Sequence, residues 1–460
     1  MVAAATRTGA AHDAAPLGIL AGGSGVPCEI AAIVTGRGRG VHIVGLDGEA
    51  EPEIARFPHT WVNIGGIGAM IRAFQLHGCR EIVIVGRVRR PNLLAIRPDF
   101  GFWRSLPVLL PFLRGGDDAI LRMVVGFFER HGLGVVGVHE AAPELIAPVG
   151  VLGRHAPAAP QHRAIGHCTA ALAALGPFDA AQAAVATAAG LAAVEGADGT
   201  DAMLRRLADP AARVRRGEAQ SAVGKGGKGV LVKMPKPGQE HRIDLPAIGP
   251  DTMRRAAEAG LAGVAVLSGQ TLFAERQAAI EIADDAGLFV LGLERGAVEI
   301  GAEVAGDRAG DGAGDGAVDL GSLKPLAARQ PGAAHLEDAD LGCKVLGALD
   351  GFWPCASVVV SRNYVLATEG PGGAMAAAER AGRLKPWGMR LLRRRSGVLV
   401  MTDIVGEVGY DPGELVRRAR ASGLAGLVIL RSTRDEAALA ALRAEADRTR
   451  LFLLAPGDAR

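Results

Sequence analysis

A chain of 460 residues is longer than one hydrophobic core usually supports, so we expect two or three domains. Its 51 Lys and Arg nearly cancel 49 Asp and Glu, and aromatic residues make up only 4%, which argues against nucleic-acid binding. The five cysteines form no C-x-x-C pair, so neither a disulfide framework nor a zinc site is indicated. The sequence shows neither a signal peptide nor the roughly 18 to 20 uncharged apolar residues of a spanning helix. We therefore expect a cytoplasmic protein.

The first 147 residues predict an α/β domain built on a parallel sheet. Short apolar runs alternate with segments of helical periodicity, which is typical of a sheet covered by helices on both faces. The predicted strands are residues 17–21, 41–46, 81–86 and 135–139. Helices are predicted to begin near Pro27 and Ile67. Ligands bind such sheets at the carboxyl ends of the strands, so the loops there are candidate sites.

A second α/β domain is predicted over residues 148–298, where apolar strands again lie between helical segments. Residues 299–334 are predicted to be a linker. The segment 301–320 within them consists largely of Gly, Ala and Asp in loose repetition and lacks the large apolar residues that a core needs. The remaining residues, 335–460, form a third region.

The third region repeats the second at the level of sequence. Five segments recur in the same order and at similar spacing, which argues for one fold used twice. The matched pairs are residues 174–178 with 348–352, 191–196 with 365–370, 229–232 with 397–400, 254–264 with 417–427 and 288–291 with 451–454. The alternative is two unrelated α/β domains that share strand composition, which the ordered matches disfavour.

The two copies agree in their apolar residues and differ in their polar ones. The loop at residues 233–246 of the first copy is replaced by the shorter segment 401–409, which contains no Lys or Arg. Thr200 and Asp201 also have no polar counterpart in the segment that begins at Gly373, and Thr200, with Gln239 of the loop, is a candidate contact for a substrate. We therefore predict that the third region is a degenerate, non-catalytic copy of the catalytic-domain fold.

The loop at residues 233–246 is the strongest candidate for chemistry. It carries Lys233, Lys236, Gln239 and Arg242, and Lys and Arg together suit a phosphate or pyrophosphate group. Three prolines restrict the backbone and would hold these side chains in place. A solvated polar loop is the ordinary alternative, but the loss of the loop in the second copy favours a function.

Neighbouring carboxylates suggest a site for a divalent cation. Glu195, Asp198 and Asp201 lie close together in the sequence, and Mg²⁺ prefers oxygen ligands and often bridges to a substrate phosphate. Asp201 has an alternative role as a helix N-cap, which is the commoner fate of Asp before a helical run. Glu195 is the weaker candidate, because the second copy keeps Glu369 there.

Four residues of the first domain are candidates for contacts with a substrate. Gly22 and Gly23 follow the first predicted strand, where backbone N–H groups and a helix N-terminus could meet a phosphate, although a tight turn also uses glycine. Arg87 follows the strand at 81–86, and a solvated face explains its position equally well. Asp118 precedes a helical run and has an alternative role as an N-cap.

Six motifs together resemble the LpxI-type UDP-2,3-diacylglucosamine pyrophosphatases of lipid A biosynthesis. They read LGILAGG, GRVRRP, GGDDAILR, VGVHEAAPELIAPVGVLGR, GTDAML and VKMPKPGQEHRIDLPAIGP and cover roughly residues 17–294. The resemblance implies an N-terminal Rossmann-like domain and a C-terminal α/β domain. It places the family's catalytic Asp at Asp244. Asp198 stands where the family has Glu, and the family's D-x-G-Q motif reads Asp179-Ala180-Ala181-Gln182.

The resemblance also implies a reaction, the hydrolysis of UDP-2,3-diacylglucosamine to UMP and 2,3-diacylglucosamine 1-phosphate with Mg²⁺ as cofactor. Mg²⁺ held by Asp201, Asp244 and Glu195 would neutralise the pyrophosphate and activate a water. The three cations of the loop at 233–246 would stabilise charge on the phosphoryl oxygens and the leaving group. The acylated substrate would require an apolar cleft between the domains and transient contact with the inner membrane surface.

Further questions stay open at the level of sequence. The third region could serve in packing, in dimerisation of the chain, or as a cover over the acyl-chain cleft. A binding protein for UDP-sugars or lipids, derived from this fold without turnover, is an alternative function. A nicotinamide-dependent oxidoreductase is another, but the glycine turn at Gly22 is an incomplete dinucleotide fingerprint.

Overall fold

The computed structural model describes residues 15–88, 117–209, 228–296, 320–352, 357–369, 373–384, 396–403, 411–431 and 436–456. Contacts divide the chain into two compact units. The first unit comprises Met1–Pro148 with two later segments, Gly238–Pro250 and Ser268–Ala279, and the second comprises the rest of the chain. The basic loop at residues 233–246 therefore leaves the second unit after Pro237 and continues in the first.

The first unit contains a five-stranded sheet in the order β3-β2-β1-β4-β5, with every pair parallel. The strands are β1 (Leu17–Ala21), β2 (Val41–Leu46), β3 (His59–Val62), β4 (Glu81–Val85) and β5 (Gly134–Val135). The helices are α1 (Val26–Gly36), α2 (Ile67–Leu76), α3 (Asp117–Arg130) and α4 (Val138–Ala141). This order matches the first five strands of the Rossmann order 3-2-1-4-5-6, so the predicted fold of the first domain is confirmed.

Burial explains why the first sheet reads as continuous apolar runs. All residues of β1 and β2 are buried, as expected for inner strands covered on both faces. Gly18 in β1 has no room for a side chain, since a Cβ there would lie 2.7 Å from the ring of Phe74 in α2. The helix therefore packs directly on the backbone of the central strand.

The second unit contains a sheet in the order β6-β13-β11-β9-β7-β8, in what we call the central region, residues 149–296. Its strands are β6 (Gly150–Val151), β7 (Ala183–Thr187), β8 (Gly190–Val194), β9 (Val230–Lys233), β11 (Gly263–Leu267) and β13 (Phe289–Leu293). The helices of this part of the chain are α5 (Ala159–Leu175), α6 (Thr200–Ala208), α7 (Pro250–Glu258) and α8 (Arg276–Asp285). Strands β9, β11 and β13 are parallel, whereas β6 and the hairpin β7–β8 run antiparallel to their neighbours. Two short strands, β10 (Ala247–Ile248) and β12 (Leu272–Phe273), pair separately in the first unit.

The third region has the same topology. Its sheet has the order β14-β19-β18-β17-β15-β16, again with an antiparallel edge strand, three parallel strands and an antiparallel hairpin. The strands are β14 (Leu323–Pro325), β15 (Ser357–Ser361), β16 (Tyr364–Glu369), β17 (Val398–Met401), β18 (Gly426–Ile429) and β19 (Phe452–Pro456). The helices are α9 (Ala333–Leu349), α10 (Ala374–Arg383), α11 (Pro412–Ala421) and α12 (Glu436–Thr449). Both hairpins contain a register shift at the same place, after Val185 and after Val359.

The central and third regions pack through equivalent elements. Helix α5 contacts α9, and strand β8 contacts β16. Apolar side chains of both regions belong to one continuous core, including Cys168, Leu172, Val345 and Leu346. Contact of each element with its own equivalent is the pattern of an isologous, two-fold interface, which here lies within one chain.

Two predicted boundaries differ from the structure. The strand predicted at 135–139 ends at Val135, because Val138–Ala141 form a short helix, and the Glu140 carboxylate accepts the N–H of Gly137 ahead of it at 2.9 Å. The third region begins by Leu323, since β14 pairs with β19. The predicted linker segment at 301–319 lies outside the described residues.

Candidate active site

Lys233 lies at the carboxyl end of β9, an inner strand of the central sheet. It pairs in register with Ala183 of β7 and Val266 of β11, and its side chain is buried. Few lysines are buried, because an ammonium group loses its hydration there. The strand thus delivers a cation to the edge of the sheet at which ligands bind in α/β proteins.

Lys236 is held beside this edge by Asp179. Its Nζ lies 2.7 Å from Asp179 Oδ1 and donates to the Asp179 carbonyl oxygen at 3.2 Å. Burial would lower the pKa of Lys236, but the hydrogen bond and charge of Asp179 outweigh it and raise the pKa above its ordinary value. Met234 N also donates to Gln182 O at 2.9 Å. The Asp179–Gln182 motif therefore anchors the beginning of the basic loop.

Glu195 follows β8 at the same edge and is buried. Its Oε1 accepts the Thr200 hydroxyl at 2.7 Å, and its Oε2 accepts the N–H of Gln182 at 3.2 Å. These bonds close the loop between β8 and α6. Glu195 and Thr200, predicted as a metal ligand and a substrate contact, are thus engaged with each other.

Asp201 lies in the first turn of α6, so the N-cap interpretation is wrong. The cap position is Gly199, whose φ of 83° lies in the left-handed region that favours glycine. The Asp201 carboxylate instead faces Arg255 of α7, with Oδ1 3.5 Å from Nε. The neighbouring Asp198 forms an ion pair with Arg206 of α6.

The continuation of the basic loop in the first unit carries Asp244. Its backbone N–H closes a turn on Glu240 O at 2.9 Å, and its Oδ2 accepts from Gln239 Nε2 at 2.5 Å. Gln239, predicted as a substrate contact, thereby orients this carboxylate. The Asp244 side chain is partly exposed, so water and ligands can reach it.

Arg242 is already neutralised by carboxylates. Its Nε and Nη2 donate to the two oxygens of Glu240 at 2.8 and 2.9 Å, and its Nη1 donates to Glu129 at 2.8 Å. The bond to Glu240 is the main cause of a raised pKa for Arg242, while Glu240 has a lowered pKa. These bonds make Arg242 a clamp of the turn, and its predicted contact with a phosphate stays a prediction.

Gly22 and Gly23 lie beside Arg87, and their amides are engaged in backbone hydrogen bonds. Gly22 N donates to Val85 O at 2.9 Å, Gly23 N donates to Arg87 O at 2.7 Å, and Arg87 N returns a bond to Gly23 O at 2.8 Å. A Cβ on Gly22 would lie 2.6 Å from Arg87 O, so close backbone approach explains the glycine. These two amides are thus engaged within the turn, and a contact of Gly22 and Gly23 with a phosphate stays a prediction. The exposed Arg87 side chain remains a candidate.

Ser24, in the same turn, was not selected from the sequence. Its φ of 149° is rare for a residue with a side chain, and its Oγ is buried without a hydrogen-bond partner. Strained backbone and unsatisfied hydroxyls are concentrated at functional sites. The turn between β1 and α1 is thus a candidate ligand contact. Asp118 is the second residue of α3, but its side chain lies outside the described residues.

The predicted Mg²⁺ ligands do not assemble into a metal site. Within the described ranges, no group of three or more His, Cys, Asp or Glu side chains could hold a metal ion. Glu195 spends both oxygens on Thr200 and Gln182, and Asp201 faces Arg255. The donor set as arranged does not fit a protein-held Mg²⁺.

Fold and site together define an α/β protein with a Rossmann-type unit and a lysine-containing edge suited to an anion. Comparison with known proteins is consistent with this class. Residues 16–145 match the LpxI N-terminal domain, and residues 148–291 match the LpxI C-terminal domain. The UDP-2,3-diacylglucosamine pyrophosphatase LpxI of Caulobacter vibrioides is 42% identical over 279 residues, which is 60% of this chain and 97% of the relative. The chain belongs to the LpxI family.

Proposed function

We propose that this protein hydrolyses the pyrophosphate of UDP-2,3-diacylglucosamine, giving UMP and 2,3-diacylglucosamine 1-phosphate for lipid A biosynthesis. The Caulobacter relative is named for this substrate, and the chain covers nearly the whole of that relative. One structural observation carries the proposal. The central region buries Lys233 where the equivalent strand of the third region has Met401. The fold does not require a cation at this position, because Met401 fills the equivalent position. Binding of a diphosphate does require one.

In the proposed mechanism the lysines stabilise negative charge on the diphosphate, and Asp244 acts as the general base. Lys233 and Lys236 stabilise negative charge on the diphosphate, and Asp179 keeps the ammonium of Lys236 charged and in place. Asp244, oriented through its Oδ2 by Gln239, takes a proton from the attacking water through Oδ1. Water attack breaks one P–O bond of the anhydride and releases the two monophosphates.

Dependence on Mg²⁺ stays a prediction, and no step above is routed through the metal. Mg²⁺ is often held by one or two carboxylates together with substrate phosphates, so a cation that arrives with the diphosphate needs no preformed protein cage. Removal of Mg²⁺ by a chelator is expected to abolish turnover, with restoration by added Mg²⁺ as the control.

The decisive experiment incubates the full chain with UDP-2,3-diacylglucosamine and follows UMP by chromatography. Release of UMP together with the acylated sugar phosphate supports the proposal. Saturable binding without UMP would instead indicate a binding protein, and turnover only with a nicotinamide cofactor would indicate an oxidoreductase. A parallel reaction in ¹⁸O-labelled water identifies the phosphorus that is attacked.

Contact with a membrane is proposed from the acylated substrate alone. In the parts of the chain that the structure describes, none of the helices is both long and apolar enough to cross a bilayer. The apolar segment at 106–113 lies outside the described residues. We expect the protein in the cytoplasm and, when substrate-containing vesicles are present, partly in the sedimented vesicle fraction. Absence from that fraction under turnover conditions would contradict the proposal.

A further inference from the structure

The loop between β8 and α6 of the central region, residues 195–200, is shaped by the third region. Ala197 N donates to Leu366 O of β16 at 3.0 Å. A Cβ on Gly196 would lie only 3.0 Å from the same carbonyl oxygen and 3.5 Å from Ala367 Cα. The loop therefore lies directly on the backbone of β16.

A partly buried charge cluster joins the same two elements. Asp198 of the loop pairs with Arg206 of α6, and Arg380 of α10 approaches it from the third region, with Nε 4.0 Å from Asp198 Oδ2. Arg380 also pairs with Glu369 and donates to Thr368 O at 3.0 Å. The Asp198 and Arg380 side chains are only 16% and 11% exposed, so removal of either would take one charge out of a largely desolvated cluster.

The two arginines occupy equivalent positions. Arg206 follows Glu195 by eleven residues, and Arg380 follows Glu369 by the same number. The residue equivalent to Asp198 is Gly372, which has no charge to offer. Two equivalent arginines thus converge on one carboxylate, which belongs to the region that carries the lysines.

Burial, reinforced by the like charge of Arg206, lowers the pKa of Arg380 to about 9. The guanidinium still carries its charge at neutral pH and can serve as the counter-ion of Asp198.

The loop is continuous with the candidate site. It begins at Glu195, which bonds to Thr200 and Gln182, and it leads into the helix that carries Asp201. Tyr364, the first residue of β16, lies within electrostatic range of the Lys236 ammonium. The third region therefore adjoins the site at two points, through the loop and beside Lys236.

We propose that the third region acts as a built-in partner for the central region and that Arg380 is a positioning residue for the loop at 195–200. Arg380 fixes Asp198, and through it the loop that carries the Glu195–Thr200 pair. Of the three roles that the sequence left open for the third region, namely packing, dimerisation and a cover over the acyl-chain cleft, the proposal assigns it packing. The expected effect on UMP release rests on the proposed pyrophosphatase function. The expected effect on the order of the loop at 195–200 does not.

The test compares the full-length chain with Arg380→Ala, Arg380→Lys and Arg383→Ala. Arg383 lies on the same helix, is exposed and serves as the matched control. Hydrogen exchange of the peptide covering 195–204 is measured together with kcat and KM for UMP release. Arg380→Ala should speed exchange of this peptide by about fivefold, the effect of one lost ion pair to Asp198, and should lower kcat/KM. Arg380→Lys should restore part of both, and Arg383→Ala should change neither.

Unchanged exchange at 195–204 in Arg380→Ala would overturn the inference, whatever the activity. Faster exchange with normal kcat and KM would overturn the positioning role. If the wild-type chain releases no UMP, the proposed function fails while the exchange data still decide the structural part. If Arg380→Ala does not fold, Arg380→Lys and Asp198→Asn carry the same comparison. If both of these variants exchanged the 195–204 peptide at the wild-type rate, the inference would be refuted.

Discussion

At the ends of their central strands, the central and third regions place different side chains in the same position. Lys233 pairs with Ala183 at the end of β9, and Met401 pairs with Ser357 at the end of β17. Both side chains are buried. Since an apolar Met satisfies this position in one copy, a buried ammonium in the other reflects chemistry rather than folding.

Other differences between the copies follow the same division. Asp201 and Thr200 of α6 have no polar equivalents at the start of α10. By contrast, both regions keep a glycine opposite a phenylalanine of the neighbouring strand. Gly263 is paired with Phe289, and Gly426 is paired with Phe452. Comparison of these two regions of equal topology thus separates residues that the sheet needs from residues that only one region uses.

The largest effect is expected in the loop at 233–246, whose basic residues have no counterpart in the sequence of the third region. Asp244→Asn keeps the shape of the side chain and its contact with Gln239 but removes the base, so turnover should fall by about 10³-fold, within the range for general-base residues. UMP release under saturating substrate measures it. Asp251→Asn, at an exposed residue near the start of α7, is the control and should retain activity. Full turnover by Asp244→Asn would remove the assignment of the catalytic base.

Replacing Lys233 of β9 by methionine, the residue at the equivalent position of β17, tests directly whether the lysine serves chemistry or folding. Lys233→Met should reduce kcat/KM by about 10²-fold, the usual cost of one lost charge-stabilising donor, without lowering the midpoint of thermal unfolding. Lys228→Met, at an exposed lysine just before β9, should leave kcat/KM unchanged. A Lys233→Met chain that unfolds more easily yet stays active would mean that the lysine serves the fold.

The shared glycines should behave alike. A Cβ at Gly263 would lie 2.4 Å from the ring of Phe289, and one at Gly426 would lie 2.3 Å from the ring of Phe452. Gly263→Ala and Gly426→Ala should each lower the free energy of unfolding by about 1–3 kcal/mol, as overpacked cores do. Urea unfolding measures both. Gly126→Ala, where no atom lies within 4 Å of the new Cβ, is the control. A large loss for only one of the pair would show that the two sheets are not packed equivalently.

The sequence predicted the sheets well because their strands are continuous apolar runs, and the order of the repeated segments predicted the shared topology. It predicted the position of Lys233 for the same reason, since that residue ends such a run. It could not predict the partners of the polar side chains. Arg242 and Gly23 both fit a phosphate by residue type, yet Glu129, distant in the sequence, neutralises the first, and Arg87 occupies the amide of the second. Such pairings depend on tertiary contacts that spacing does not encode.

The smallest expected effect is a difference in acid stability: the first unit should lose more stability on acidification than the second. His42 of β2 is buried and stacked on His77, with ring centroids 3.6 Å apart, and burial followed by repulsion from His77 and His59 lowers its pKa to about 4. Because the unfolded chain binds this proton near pH 6.5 and the folded chain does not, stability should fall as the pH drops from 6.5 towards 4. Between pH 7 and pH 5 the loss should be at most about 2 kcal/mol.

Hydrogen exchange of peptides from β2 and from β18 reports the two units separately. Acidification from pH 7 to pH 5, after correction for intrinsic exchange rates, should reduce protection in β2 more than in β18. His42→Gln should remove that excess, whereas His155→Gln, at an exposed residue of the second unit, should not. Equal loss of protection in both peptides, or an excess that persists in His42→Gln, would show that another group is responsible. The acid response of β2 could then no longer be attributed to its buried neutral histidine.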